Sequence, residues 1–307
     1  MNLRSGPFYD RHTTPPPEGL TINSYELIAL LSDTSCSTVY KAQKIESNDY
    51  KVLKFVKLIR KNIDRIENEI SIMQSASHPN ILKLEDTFRY GAYVCLVTDY
   101  APHQDLQKYI KANYPNGVPE ITAVKIFKQM LDTVSYLHTK KVCHRDIKLE
   151  NFLVFDSKDS LRIVLADFGF SIQFSEDIEK GDEFCGTLEY MAPEFYMFNP
   201  YDQKVDIWSL GISLFEILTA KLPFTSKKNS AKELGKKILN QKLDLELLKE
   251  LKISDEAVDL LTKLCTKSPN KRISAEMTAK HSWLEYRNEI SYELKKCESP
   301  AFNNLII

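Results

Sequence analysis

The sequence has 307 residues, 43% of them hydrophobic and 27% charged, which is enough to bury one large core or two smaller ones. The formal net charge of −1 argues against a nucleic-acid binder, and no apolar run approaches the roughly 20 residues of a membrane-spanning helix. Six scattered cysteines without CxxC spacing indicate reduced thiols and a cytoplasmic or nuclear location, and the six histidines show no metal-binding spacing.

Residues 1–24 include three consecutive prolines and few apolar side chains, so we predict a flexible N-terminal segment. The segment lacks the apolar core of a signal peptide. Arg4 and Arg11 would suit a mitochondrial presequence, but the helical amphipathicity is poor and Asp10 interrupts it.

Residues 25–98 read as a small β-rich unit with one main helix. Runs rich in Val, Leu, Ile, Phe and Tyr predict strands at Tyr25–Leu31, Thr38–Ala42, Lys51–Leu58, Leu84–Arg89 and Tyr93–Thr98. Apolar residues at helical spacing predict a helix between the third and fourth of these strands, through Ile59, Ile63, Ile66, Ile70 and Met73.

Residues 99–286 read as a larger, mostly helical unit, followed by a C-terminal tail at 287–307. Helices are predicted at Thr122–Thr139, Asp206–Leu218, Ala231–Leu239, Ser254–Cys265 and Ser274–Lys280. The stretch 206–218 is apolar almost all round, which predicts a buried helix. With short strands at Phe152–Phe155 and Arg162–Leu165, the fold class is α+β.

Two polar clusters lie beside these short strands. The first is His144-Arg145-Asp146-Ile147-Lys148-Leu149-Glu150-Asn151, directly before Phe152. The second is Asp167-Phe168-Gly169, separated from the next predicted strand by one residue. A lone Asp is usually a solvated loop residue, but two such clusters beside apolar strands indicate a functional site.

These motifs, in this order, resemble the eukaryotic protein kinases of serine/threonine type over about residues 25–286. Gly186–Glu194 matches the end of the activation segment, Asp206–Gly211 opens the buried helix, and Arg272 matches the arginine that pairs with Glu194. The resemblance implies a two-lobed kinase fold and transfer of the ATP γ-phosphoryl group to protein hydroxyls. In style, the chain is similar to the calcium/calmodulin-dependent-like kinases.

The resemblance assigns roles to the two polar clusters. Phosphoryl transfer depends on positioning and on neutralising charge. Asp146 would accept the proton of the substrate hydroxyl, and Lys148 would place a cation near the transferring phosphate. Asn151 and Asp167 offer the hard oxygen ligands that suit Mg²⁺.

The resemblance also implies an ATP site in which Lys54, paired with Glu69, binds the α- and β-phosphates. Taken alone, Glu69 would be read as a solvated helix carboxylate, but the family match with Lys54 favours the ion pair. Thr98 would gate the pocket behind adenine. The other implied ATP-binding residues are Ser32, Thr34, Ser37, Val39, Val52, Asp99, Ala101 and Leu153.

The loop that covers phosphate departs from the family pattern G-x-G-x-x-G-x-V, because residues 32–39 contain no glycine. Glycine lets backbone amides approach phosphate closely. Serine and threonine offer hydroxyls but add Cβ bulk, and Asp33 adds negative charge, so we expect ATP binding to be weaker by roughly 1–2 kcal/mol. Two alternatives to an active kinase follow: a pseudokinase scaffold, or a nucleotide-gated binding module with vestigial catalysis. The intact catalytic and metal residues argue against the scaffold.

Lys148 and the Gly186-Thr187 pair imply protein substrates with serine or threonine acceptors. Acidic positions aligned with those of basophilic kinases imply a preference for Arg or Lys upstream of the acceptor, although ordinary structural carboxylates would give the same pattern. The implied substrate-binding residues are Asp105, Glu150, Leu188 and Glu216.

The activation segment carries an acidic residue where the family usually has a phosphothreonine. That residue is Glu183, and the resemblance implies that it pairs with Arg145 without prior phosphorylation. Thr187 would hydrogen-bond to Asp146 and Lys148 and would not be a phosphosite. We therefore hypothesise constitutive or substrate-gated activity, with no regulator indicated by the sequence.

Overall fold

The computed structural model describes residues 14–156, 161–176, 178–227 and 230–285. The chain divides into two compact units after Pro102. The first unit is built on a β-sheet and the second is mainly helical, which confirms the predicted α+β class. Within the part of the chain that the structure describes, none of the helices combines the length and apolar character needed to cross a bilayer.

The first unit is a six-stranded antiparallel sheet with one helix. The strands follow the order β1-β2-β3-β4-β6-β5. Their bounds are β1 Thr21–Ile22, β2 Tyr25–Asp33, β3 Ser37–Lys44, β4 Tyr50–Lys57, β5 Leu84–Tyr90 and β6 Tyr93–Asp99, and helix α1 is Ile63–Ser75.

Alternation along the strands produces the core of this unit. Tyr40 and Ala42 on β3 and Leu53 and Phe55 on β4 are buried, while the residues between them face the other side of the sheet. Helix α1 begins at Ile63 and not at Ile59 as the apolar spacing suggested, because the Asn62 side chain bonds to the backbone of Ile59 and Lys57 and forms a turn there.

The described part of the predicted flexible segment, residues 14–24, is packed against the sheet. Pro16 is buried, and its carbonyl accepts a hydrogen bond from the Tyr40 hydroxyl at 2.6 Å. The Glu18 carboxylate accepts a hydrogen bond from the Leu30 amide at 2.6 Å. These contacts tie Pro16 and Glu18 to β3 and β2, and the flexibility predicted for residues 1–24 stays a prediction.

The second unit is built around helix α5, Lys204–Thr219. Every residue from Val205 to Thr219 is buried, as the continuous apolar pattern predicted. The other helices of this unit are α2 Leu106–Asn113, α3 Glu120–Thr139, α4 Pro193–Tyr196, α6 Ala231–Asn240, α7 Leu245–Glu250, α8 Asp255–Leu264 and α9 Ala275–Ala279. Helices α2, α4 and α7 are additional to the prediction and are too short for a clear apolar period.

Two small antiparallel ribbons in the second unit hold the polar loops. Strand β7, Val142–Cys143, pairs with β10, Ile172–Gln173. Strand β8, Phe152–Asp156, pairs with β9, Arg162–Leu165. The first polar cluster lies between β7 and β8, and the second lies between β9 and β10.

Candidate active site

Asp206 anchors the backbone of the first polar cluster. Its fully buried carboxylate accepts hydrogen bonds from the backbone amides of His144 at 2.9 Å and Arg145 at 2.8 Å, and His138 Nε2 lies 3.0 Å away. Burial alone would raise the pKa of Asp206, but these hydrogen bonds and the neighbouring histidines outweigh it, so the pKa lies below its ordinary value. Arg145 has a left-handed φ of 67°, and the anchored amides hold that strained turn in place.

Asp146 is buried at the centre of a hydrogen-bonded group. Its Oδ1 atom accepts from the Thr187 amide at 2.8 Å and the Thr187 hydroxyl at 2.7 Å. Its Oδ2 atom lies 3.0 Å from Lys148 Nζ and 3.0 Å from Asn151 Nδ2, which donates to it. Lys148 Nζ also donates to the Thr187 hydroxyl at 2.6 Å. The carboxylate is thus fixed in orientation and lies next to a cation.

Asn151 and Asp167 come from neighbouring loops that are joined through their backbones. The Ala166 amide, directly before Asp167, donates to the Asn151 carbonyl at 2.8 Å. Both hydrogen bonds of the Asn151 side chain use its nitrogen, to the Asp146 carbonyl and carboxylate, so the amide oxygen is the atom suited to bind a metal. Asp167 has a left-handed φ of 60°.

The described residues contain no group of three or more His, Cys, Asp or Glu side chains arranged to hold a metal. Mg²⁺ is commonly bound by one or two protein carboxylates together with substrate phosphates and water. An amide and a carboxylate oxygen from Asn151 and Asp167 therefore fit Mg²⁺ accompanied by a nucleotide better than they fit an all-protein metal site.

Arg145 connects the first polar cluster to the activation segment. Its Nη2 atom lies 3.1 Å from Glu183 Oε2, and its Nη1 atom donates to the Tyr201 hydroxyl at 2.7 Å. The Tyr201 hydroxyl in turn donates to the Glu183 carbonyl at 2.8 Å, and burial raises the pKa of Tyr201, so it stays protonated. Tyr201 was not predicted as a site residue, because it lies beyond the activation segment in the sequence. Its backbone pairs with that of Gly181 through two 2.9 Å hydrogen bonds, which bring it to Arg145.

In the first unit, Lys54 and Glu69 form an ion pair. Lys54 Nζ lies 2.9 Å from Glu69 Oε1, and Glu69 is 4% exposed, which is unlike the solvated helix carboxylate considered as the alternative. Val52 lies two residues before Lys54 on the same face of β4. The cross-strand partners are Val39 for Lys54 and Thr98 for Val52, so four implied ATP-binding residues share one face of the sheet.

The remaining implied ATP-binding residues lie elsewhere in the two units. Ser32, Thr34 and Ser37 belong to the end of β2, the β2–β3 turn and the start of β3, and Leu153 lies on β8 of the second unit. Asp99 ends β6 and accepts a hydrogen bond from Lys51 at 2.8 Å, and Ala101 lies two residues later. Lys51 was not predicted; it is 7% exposed and also pairs with Glu85.

The implied substrate-binding carboxylates differ in their availability. Glu216 is buried and accepts hydrogen bonds from the Tyr190 hydroxyl and, at 3.2 Å, from Gln107. Burial and the nearby Glu150 charge raise the pKa of Glu216. Asp105 caps helix α2 through the Lys108 amide at 2.9 Å and pairs with Lys108 Nζ.

Glu150 is half-buried, with the Tyr190 hydroxyl 3.4 Å from its Oε2 atom. Leu188 is also half-buried, and its carbonyl accepts a hydrogen bond from the Tyr196 hydroxyl. The side chains of Glu150 and Leu188 therefore retain surface that a peptide could contact.

Comparison with known proteins agrees with this geometry. A family profile described as "Protein kinase domain" matches residues 25–284. The serine/threonine-protein kinase PLK4 of Drosophila virilis is 31% identical over 270 residues, covering 87% of this chain and 33% of that protein. A probable serine/threonine-protein kinase KIN1 homolog of Enterocytozoon bieneusi is 35% identical over 276 residues, covering 88% of this chain and 44% of that protein.

The serine/threonine-protein kinase ULK3 of Xenopus laevis is 35% identical over 257 residues, covering 82% of this chain and 53% of that protein. The chain thus spans about a third to a half of the length of these relatives. Because the family match extends over most of the sequence, the chain belongs to the eukaryotic protein kinase superfamily and, within it, to the serine/threonine type.

Proposed function

We propose that this protein transfers the γ-phosphoryl group of ATP to serine or threonine hydroxyls of protein substrates. The observation that carries the proposal is the group around Asp146, in which Lys148, Asn151 and Thr187 all lie within 3.0 Å of the carboxylate or of one another. Such a group positions an anionic acceptor for a hydroxyl proton beside a cation, and phosphoryl transfer requires both.

Different residues accept the proton and neutralise the charge. Asp146 orients the acceptor hydroxyl and takes its proton. Lys148 neutralises charge that develops on the transferring group, and Thr187 fixes the distance between Lys148 and Asp146 because it bonds to both. Held in place before substrate binds, these groups need little reorganisation during transfer.

Members of this superfamily generally use ATP with Mg²⁺, and the residues present fit both. Lys54, held by Glu69 at 2.9 Å, would bind the nucleotide phosphates. Asn151 and Asp167 would hold Mg²⁺, which neutralises phosphate charge when bound. We further propose a cytoplasmic or nuclear location, because a reducing compartment suits the five cysteines that are free thiols in the described chain.

A radiometric assay on a generic protein substrate tests the activity. Asp146→Ala is expected to lower kcat by at least about 100-fold, since positioned proton acceptors contribute roughly 10²–10⁴-fold. The matched control is Asp132→Ala, which removes an exposed aspartate from α3 and is expected to leave the rate unchanged. Equal, background-level incorporation by wild type and Asp146→Ala would support the pseudokinase scaffold instead.

We propose that Glu150 selects a basic residue upstream of the acceptor. Glu216 accepts hydrogen bonds from Tyr190 and Gln107, and Asp105 caps α2 and pairs with Lys108. Glu150 is half-buried and has a longer contact, 3.4 Å to the Tyr190 hydroxyl, so it is the implied carboxylate best able to accept a new partner. Its interaction with a partly exposed arginine is expected to change kcat/KM by about fivefold, which corresponds to about 1 kcal/mol.

The test compares peptides with Arg or Ala upstream of the acceptor. Glu150→Gln should remove the preference for Arg, while Glu179→Gln, which alters an exposed carboxylate in the activation segment, should keep it. A wild-type enzyme that phosphorylates both peptides equally well would show that these carboxylates are structural.

A further inference from the structure

The turn that replaces the glycine-rich loop bonds to itself through Thr34. The Thr34 hydroxyl accepts hydrogen bonds from the backbone amides of Ser37 at 3.0 Å and Cys36 at 3.3 Å. It also lies 3.0 Å from the Ser37 carbonyl, to which it donates. One side chain therefore contacts two successive amide donors of the turn, Cys36 and Ser37.

The same turn is also closed at its base. The Thr34 amide donates to the Ser37 carbonyl at 2.9 Å, and the Thr38 hydroxyl donates to the Asp33 carboxylate at 2.8 Å. Asp33 and Thr38 face each other as the last cross-strand pair of β2 and β3. Thr34 and Ser37, and likewise Asp33 and Thr38, thus bond to each other within the turn.

Backbone amides of this loop are the groups with which kinases of this superfamily cover nucleotide phosphates. An amide that already donates to a hydroxyl must break that bond before it can donate to a phosphate oxygen. With a glycine or an apolar side chain at position 34, the Cys36 and Ser37 amides would donate to water instead. Replacing that water with a phosphate oxygen costs less free energy than breaking the bonds to the Thr34 hydroxyl.

We propose that Thr34 competes with nucleotide phosphate for the amides of Cys36 and Ser37 and thereby weakens nucleotide binding. The inference rests on the proposed ATP-dependent function and reverses one expectation drawn from the sequence, in which the Thr34 hydroxyl is itself an ATP ligand. The two roles predict effects of opposite sign when the hydroxyl is removed.

The deciding substitution is Thr34→Val, which keeps the β-branched shape and removes the hydroxyl. Thr34 is exposed, so the change should leave the fold intact. We expect Thr34→Val to bind Mg·ADP about fivefold more tightly than wild type, a change equivalent to about 1 kcal/mol. Binding of adenosine, which has no phosphate, should be unchanged and also reports that the variant is folded.

Two control variants come from the same turn. Thr34→Ser keeps the hydroxyl and should bind Mg·ADP like wild type. Ser35→Ala removes a hydroxyl that lies 3.7 Å from the neighbouring Cys36 sulfur, and it should also have no effect. Isothermal titration of wild type and the three variants with Mg·ADP and with adenosine gives the required dissociation constants.

The proposal is supported if Thr34→Val alone binds Mg·ADP more tightly than wild type while its affinity for adenosine is unchanged. Weaker Mg·ADP binding would show that the hydroxyl is a phosphate ligand, and an unchanged constant would show that the turn is irrelevant; either overturns the inference. Equal tightening of ADP and adenosine, or no binding by Thr34→Val, also overturns it. The phosphorylation assay on Asp146→Ala judges the proposed function separately, because phosphate transfer can be present whichever way the ADP affinity changes.

Discussion

The contact between Arg145 and Glu183 makes a prediction about activation. The family resemblance aligns Glu183 with the usual phosphothreonine, and its carboxylate lies 3.1 Å from Arg145 Nη2. The carboxylate carries one negative charge, where a phosphate would carry about 1.5 to 2. We expect the unphosphorylated enzyme to be active, and Glu183→Ala to lower its rate.

The size of the effect follows from the burial of the pair. The Arg145 side chain is 7% exposed and that of Glu183 is 56% exposed, so solvent screens the pair from one side. Without Glu183 the guanidinium still donates to the Phe170 carbonyl and the Tyr201 hydroxyl, so its charge is not left without partners. The loss is therefore near the upper end for exposed pairs, about 1 kcal/mol. It would shift the balance between ordered and displaced activation segments by up to about fivefold, which sets the largest expected fall in kcat.

The assay compares initial rates of enzyme that has been treated with a phosphatase. Asp182→Ala is the matched control, because it removes the same charge from the neighbouring exposed position. Raising the salt concentration should reduce the difference between wild type and Glu183→Ala, since the pair is partly screened. If Glu183→Ala and Asp182→Ala both retain the wild-type rate, the carboxylate does not order the segment and the hypothesis is wrong.

Three further predictions concern ion pairs in the two units. Glu69→Gln removes the carboxylate that holds Lys54 and is expected to lower kcat/KM for ATP about tenfold, or about 1.4 kcal/mol, in steady-state kinetics. Asp206→Asn is expected to cost about 2–3 kcal/mol of unfolding free energy at pH 7 in urea. Because the folded pKa of Asp206 lies below 3.8, the wild-type advantage is present above that pH and is lost as pH falls further; a difference that disappears already at pH 6 would contradict the assignment. Arg272→Leu leaves the buried Glu194 carboxylate without its bidentate partner and should cost about 3–5 kcal/mol in the same measurement, whereas Arg272→Leu combined with Glu194→Leu should recover part of the loss.

The elements with a sustained apolar period were predictable from the sequence. Helix α3 and the buried helix α5 differ from their predicted bounds only at the ends, and strand β9 begins and ends as predicted. Burial of many side chains at a fixed period determines such elements, and that period is visible in the chain. Helix α2 was not predicted, because its eight residues bury only Leu106 and Ile110 and so show no sustained apolar period. The clearest sequence indication of this helix is its N-cap residue, Asp105.

In the candidate site, too, features that depend on residues close in the sequence were predictable, and features that depend on distant residues were not. Residue type and order were enough to indicate Asp146, Lys148 and Asn151, because the loop that holds them is short. The burial of Glu216 follows from the predicted buried helix, but its hydrogen-bond partners Tyr190 and Gln107 were not predictable, since both are distant in the sequence. A carboxylate identified from a motif can be exposed or fully bonded, and only its surroundings in the folded chain distinguish the two states.

Kinases of this superfamily commonly bind phosphate at two positions where this protein places a side chain of its own. We expect one of these side chains to favour activity and the other to weaken nucleotide binding. At Arg145 we propose that the Glu183 carboxylate, 3.1 Å away, supplies the negative charge that a phosphate would carry and so supports the ordered activation segment. In the β2–β3 turn the Thr34 hydroxyl takes amides that a nucleotide phosphate would use, so the contact opposes ligand binding. An enzyme that combines both contacts should need no activating phosphorylation but should require a higher ATP concentration. Its rate would then follow nucleotide supply more closely than that of a kinase with a glycine-rich loop. Thr34→Val, by tightening nucleotide binding about fivefold, should reduce that dependence while leaving the Glu183 effect intact.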